Sequence, residues 1–113
     1  MMKGAQKYAV VTGASTGIGR AIAVALGGVG ITVGLVARSK LGLKTTLDQI
    51  THAGGVGKIF PLDLRNVPSI YSLAKEIQRE WKDIHILVNV AGIYHDAKKA
   101  YYQRPFEKYS TEE

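Results

Sequence analysis

The run Thr12-Gly-Ala-Ser-Thr-Gly-Ile-Gly19 sets three glycines behind a short apolar stretch. Each does a different job if a strand precedes the run and a helix follows it. Gly13 permits a tight turn, Gly17 lets the backbone approach an anionic ligand without a Cβ in the way, and Gly19 lets the helix pack close. The helix start then presents free N–H groups and a partial positive charge to phosphate. Ser15 and Thr16 add hydroxyl donors, and Ile18 completes the turn between the last two glycines. This is chemistry for a diphosphate, and in a strand-turn-helix setting it reads as a dinucleotide site. A mononucleotide P-loop is excluded, because it needs Lys and then Ser or Thr after its last glycine, and Arg20-Ala21 stand there.

A second group lies some twenty residues on, at Ala37-Arg38-Ser39. A site for NAD places Asp or Glu here to accept from the ribose 2′-hydroxyl, whereas a site for NADP uses Arg for the 2′-phosphate. Ala37 brings no carboxylate, Arg38 brings a guanidinium and Ser39 a hydroxyl. Guanidinium matches phosphate in charge and geometry, so the sequence favours NADP(H) over NAD(H).

The elements that must hold these groups alternate. Tyr8 to Thr12 is an apolar, β-branched strand, and Arg20 to Leu26 is helical in composition, ended by Gly27, Gly28 and Gly30, with Gly30 as the left-handed cap. Ile31 to Ala37 is a second buried strand. Ser39 caps a helix carrying Leu43, Leu47 and Ile50, which Gly54-Gly55 stop. Val56 to Leu62 is a third strand. Asn66 caps a third helix with Pro68 in its first turn and an apolar face of Ile70, Leu73, Ala74, Ile77 and Trp81. Ile84 to Val90 is a fourth strand. Such alternation gives βαβ units, and right-handed crossovers give an α/β fold with a Rossmann-like parallel sheet in the order 3-2-1-4.

With the order of motifs in view, the chain resembles the short-chain dehydrogenase/reductase family over nearly its whole length. The glycine spacing T-G-x-x-x-G-x-G is that family's. Asp63-Leu64, at the end of the third strand, resembles the acidic residue that meets the adenine ring. Asn89-Val90-Ala91-Gly92 resembles the family's Asn-Asn-Ala-Gly, with Val90 in place of the second Asn. The resemblance implies that Asn89 steadies the central sheet. It also implies an oxidoreductase that moves hydride between a nicotinamide dinucleotide and an alcohol or carbonyl substrate. That chemistry would use a Ser and a Tyr-x-x-x-Lys pair beyond a fifth strand, with the Tyr passing a proton, the Lys lowering its pKa and the Ser orienting the substrate.

No catalytic residue is assigned within this chain. Tyr71-Ser-Leu-Ala-Lys75 fits Tyr-x-x-x-Lys but falls on the helix between the third and fourth strands. Tyr94-His-Asp-Ala-Lys98 fits too, but follows the fourth strand too soon and in a segment without helical patterning. His52, His85 and His95 lack ligand spacing, so no metal site is expected. A Ser-His-Asp hydrolase has no nucleophile elbow here. The chain therefore divides into a dinucleotide-binding Rossmann half, 1–92, and a polar, aromatic loop, 93–113. The closing Ser110-Thr-Glu-Glu113 matches a capping box that announces a further helix. The expectation is a sheet truncated before its second half and a chain inactive by itself.

At 113 residues the chain is one domain at most. The net charge of +6 comes from 15 Lys and Arg scattered along the chain, which reads as solvated surface with one or two cations available to cofactor phosphates. Nucleic-acid binding is not expected from this pattern. The absence of cysteine excludes disulfides and thiolate metal sites. The polar start and the lack of a spanning apolar run give a cytoplasmic expectation with no membrane partner. The fourth strand, left as a sheet edge, is expected to favour self-association and marginal stability. The alternatives to a complete enzyme are a non-catalytic dinucleotide-binding module, alone or paired with a separate second half, and an inactive truncated fragment. Substrate would be bound only by a complete chain.

Overall fold

The computed structural model describes residues 6–90. Four strands and three helices alternate along it: β1 (Tyr8–Thr12), α1 (Gly17–Gly28), β2 (Thr32–Ala37), α2 (Lys40–His52), β3 (Gly57–Pro61), α3 (Val67–Glu80) and β4 (Ile86–Asn89). The strands form one parallel sheet in the order β3-β2-β1-β4. This is the Rossmann-like α/β arrangement expected from the alternation of strand and helix.

Period-2 alternation sorts the strand side chains onto the two faces. Val11 of β1 and Val33 and Leu35 of β2 join Ala23 of α1 and Leu43 and Ile50 of α2 in one fully buried cluster. Val10, Val36 and Phe60 face the other way and meet Ile77 and Trp81 from the α3 side. The sheet is thus covered on both faces, as a parallel sheet must be, and its central strands read as continuous apolar runs. Trp81 stacks on Tyr8 at 4.9 Å between ring centroids and meets the edge of Phe60 at 6.2 Å. Its ring fills the space over β2 at Gly34, where an added Cβ would come within 3.0 Å of the indole.

The caps explain where the helices begin. Ser39 accepts a hydrogen bond from the Gly42 amide, and Asn66 accepts one from Ser69, with proline in the first turn of α3. Gly30 takes the left-handed conformation at φ +94°, as the sequence anticipates, and Gly54 does the same after α2. Three expectations shift. Helix α1 starts at Gly17, inside the glycine run, and keeps Gly27 and Gly28. Strands β2, β3 and β4 are each shorter than their apolar runs; Ile84 and His85 precede the paired part of β4. Ala74 is exposed, so the buried face of α3 narrows to Ile77, with Leu73 half-buried and Trp81 just past the helix end.

Candidate dinucleotide site

Parallel register brings the ends of the four strands level. Thr12 pairs with Val36 and with Asn89, and Ala37 pairs with Pro61. The residues after these positions therefore emerge along one carboxyl edge of the sheet: Gly13 at the centre, Arg38 on one flank, Asp63 beyond it and Val90 on the other. A ligand in an open parallel α/β sheet binds outside this edge. Here β1 is flanked by β2 and β4, so the crossover direction reverses beside Gly13.

The glycine turn has the backbone that the spacing implies. Gly13 and Gly17 sit at φ +67° and +57°, in the left-handed region. A Cβ on Gly17 would meet nothing within 4 Å, so its outer side is open to a ligand. Gly19 is the opposite case. A Cβ there would run into the Gly13 carbonyl oxygen and come within 2.7 Å of its carbon. The close approach Gly19 allows is thus between helix and turn, rather than between helix and neighbouring strands.

The amino end of α1 carries no side-chain cap. Thr16 is its N-cap residue but its side chain makes no capping bond, and the first turn holds no acidic residue. The first helical hydrogen bond runs from Arg20 N–H to the Thr16 carbonyl. The amides of Gly17, Ile18 and Gly19 therefore have no acceptor within the helix. Thr16 and Gly17 are exposed, as is Ile18 at 70%.

The carbonyl side of the turn is tied down. The Arg20 guanidinium donates to the Ser15 carbonyl, to the Gly42 carbonyl at 3.2 Å and to the Thr46 hydroxyl at 2.9 Å. Thr46, fully buried on α2, donates in turn to the Ala14 carbonyl at 2.6 Å. The Ala14 amide donates to Val36 at 3.2 Å. Gly42 is packed so closely that a Cβ on it would lie 2.8 Å from Ser15 Cβ and 3.1 Å from Ser39 Oγ. Ser15 and Ser39 therefore flank the start of α2 at one corner of the edge. Sequence patterning missed Arg20, Gly42 and Thr46. The available signal was Thr46, a hydroxyl on the same helical face as Leu43 and Ile50, which must find a partner once buried.

On the β4 side, the Thr12 hydroxyl donates to Asn89 Oδ1 at 2.8 Å and accepts from the Val90 amide at 3.1 Å. Asn89 thus joins β4 to the turn-bearing end of β1. Val90 is half-buried just past the strand rather than within it. On the β3 side, Asp63 is held by Arg65, which donates from its backbone amide and Nε to Oδ1 and from Nη2 to Oδ2. The Arg65 side-chain bonds foremost, then its amide, hold the Asp63 carboxyl down from 3.8 to about 2, and the charges of Arg65 and Arg38 add to the effect. Leu64 packs its side chain against the cluster of Val36, Phe60 and Trp81. Arg38 is exposed.

Ala91 and Gly92 lie outside the described residues, as do Tyr94 with Lys98, His95 and the Ser110–Glu113 capping box. Tyr71 is 68% exposed on α3. Among the described residues no cluster of side chains could hold a metal ion, and no helix is long and apolar enough to cross a membrane.

Comparison with known proteins agrees with this geometry. A family model described as short chain dehydrogenase matches residues 7–112. A putative ketoacyl reductase of Streptomyces coelicolor is 40% identical over 86 residues, 76% of this chain and 33% of that protein. The crystal structure of a metagenomic short-chain oxidoreductase in complex with NADP superposes with a TM-score of 0.75 at 39% identity, covering 77% of this chain and 39% of that one. A variant of actinorhodin polyketide ketoreductase crystallised with NADPH gives a TM-score of 0.72, also at 39% identity, over 77% of this chain and 33% of its own. The chain spans about a third of the length of the curated relatives it matches. On the family match and the shared fold, this chain belongs to the short-chain dehydrogenase/reductase family.

Proposed function

We propose that residues 6–90 form the part of an oxidoreductase that holds NADP(H), in a protein that moves hydride between this cofactor and an alcohol or carbonyl compound. The observation that carries the reading is the start of α1. It is uncapped by any side chain, lacks acidic residues in its first turn and opens beside Gly17, whose outer side meets no other atom within 4 Å of where a Cβ would stand. The two similar structures that hold NADP and NADPH support it.

In this reading the amides of Ser15 and Thr16 in the turn and of Gly17, Ile18 and Gly19 at the helix start receive the diphosphate, with the Ser15 and Thr16 hydroxyls beside them. Arg38 and the Ser39 hydroxyl receive the 2′-phosphate. The Ser39 oxygen already accepts from Gly42, which leaves its proton to donate. Asp63, kept ionised by Arg65, offers an acceptor to the adenine amine, with Leu64 contributing backbone. Asn89 continues the site on the β4 side. When bound, the cofactor supplies the hydride chemistry. This chain's residues bind and orient it, and none is assigned the proton transfer. A non-catalytic dinucleotide-binding module is the second reading, since the described residues that gather here make phosphate and adenosine contacts and none of them is assigned a proton transfer.

Calorimetric titration of the chain with NADPH and NADH tests the assignment. NADPH is expected to bind more tightly, and Arg38→Ala to weaken NADPH about tenfold, in line with a lost charge-assisted bond, while leaving NADH unchanged. Equal affinity for both cofactors would remove the 2′-phosphate role of Arg38. Failure to bind either would remove the dinucleotide reading.

A further inference from the structure

We infer that Arg20 is a positioning residue for the phosphate turn: from beneath the turn it fixes which way the peptide groups of residues 14–16 point. The inference rests on the dinucleotide reading above for its functional consequence, but the clamp itself is a structural claim that can be tested separately.

A trans peptide directs its C=O and N–H to opposite sides. The Ala14 carbonyl is captured by the Thr46 hydroxyl at 2.6 Å, so the Ser15 amide must face away from α2. The Ser15 carbonyl is captured by the Arg20 guanidinium, so the Thr16 amide must also face away from α2. Arg20 further donates to Thr46 Oγ1 and to the Gly42 carbonyl. One side chain therefore joins the turn, the start of α1 and the first turn of α2. A guanidinium does this with donors fixed in a plane, which an ammonium cannot reproduce. The tie also polarises the peptide groups, since a carbonyl that accepts from a cation leaves its own N–H a stronger donor. The turn needs such a tie because Gly13 and Gly17 give it little stiffness of their own.

The position after the last glycine thus acts on the ligand without touching it. A residue that served only to fasten α1 to α2 would change stability and leave the affinity of the folded protein alone. A residue that aims the amides changes affinity beyond any change in melting temperature.

The test uses the 113-residue chain with Arg20→Lys and Arg20→Ala. Each is measured for melting temperature, for NADPH affinity well below melting, and for hydrogen exchange of the amides of residues 15–19 without ligand. Arg20→Lys is expected to keep the fold, to bind NADPH about tenfold more weakly, the scale of one charge-assisted hydrogen bond, and to exchange those amides faster. Unchanged affinity and unchanged exchange in a folded Arg20→Lys protein would overturn the inference, as would faster exchange with unchanged affinity. If the parent chain binds no dinucleotide, the function reading falls by itself. Exchange at residues 15–19 then decides the clamp: faster in Arg20→Lys upholds it, unchanged overturns it.

Discussion

Single residues in this site act mainly through one another. Asp63 is ionised far into acid because Arg65 engages both of its oxygens. Its carboxyl is therefore expected to titrate near 2 in the folded chain, and to move up toward 3.8 in Arg65→Ala, read from the carboxyl carbon shift. The sign follows from the lowered folded-state value. The pairing stabilises the fold fully above the unfolded pKa of about 4, and that contribution is lost as pH falls from there toward about 2. At pH 7 the ion pair is intact, so changes in cofactor binding between pH 5 and 8 must come from elsewhere. Arg38, Asp63 and the glycine turn were legible as residue types at the ends of apolar runs. Arg20 and Thr46 were not, because their partners are carbonyls more than twenty residues away or hidden in the turn. Residue type does not reveal which backbone oxygens a fold leaves wanting donors.

At the scale of elements, two kinds of signal carried through from sequence to structure: alternating apolar periods and caps. Asn66→Ala is expected to lower stability by about 1 kcal/mol, the usual worth of an N-cap, since the Ser69 amide loses its acceptor. Chemical denaturation reads this directly, and an unchanged midpoint would show that the cap contributes nothing. Gly19→Ala is a harsher change. Its methyl would meet the Gly13 carbonyl rather than a flexible side chain. We expect a loss of about 1–3 kcal/mol, as for overpacking, together with loss of NADPH binding. The strand ends were the poorest part of the sequence reading. Ile84 carries the apolar pattern of a strand, yet it is 45% exposed and lies before the pairing with β1 begins. A hydrophobic run marks where a strand can form, while the length of the neighbouring strand decides where it does. Ala74 follows the same logic, placed on the apolar face by spacing but exposed because nothing covers that part of α3.

For the molecule as a whole, the sheet order was legible because four short apolar runs, joined by three helical segments, admit few right-handed parallel arrangements. The described sheet has a consequence at its β4 side. There β4 pairs with β1, alternating half-buried and exposed residues, and Leu87 is 69% exposed. A strand edge with apolar side chains favours pairing with another chain. Sedimentation of the chain is expected to show association that grows with concentration and that Leu87→Lys reduces. A monomer at every concentration would contradict this. The core gives a second prediction. Gly34→Ala would press a methyl to about 3 Å from Trp81, so it is expected to lower the melting temperature and alter the indole fluorescence.

The central claim is that the backbone from Gly13 to Gly19 cradles a diphosphate at the carboxyl edge of the sheet. Titration of the isotope-labelled, folded chain with NADPH, followed by amide NMR, tests it most directly. The account predicts saturable shifts concentrated at the amides of residues 15–19. Signals there that stay in place at saturating cofactor, in a sample whose spectrum shows a folded protein, would contradict it.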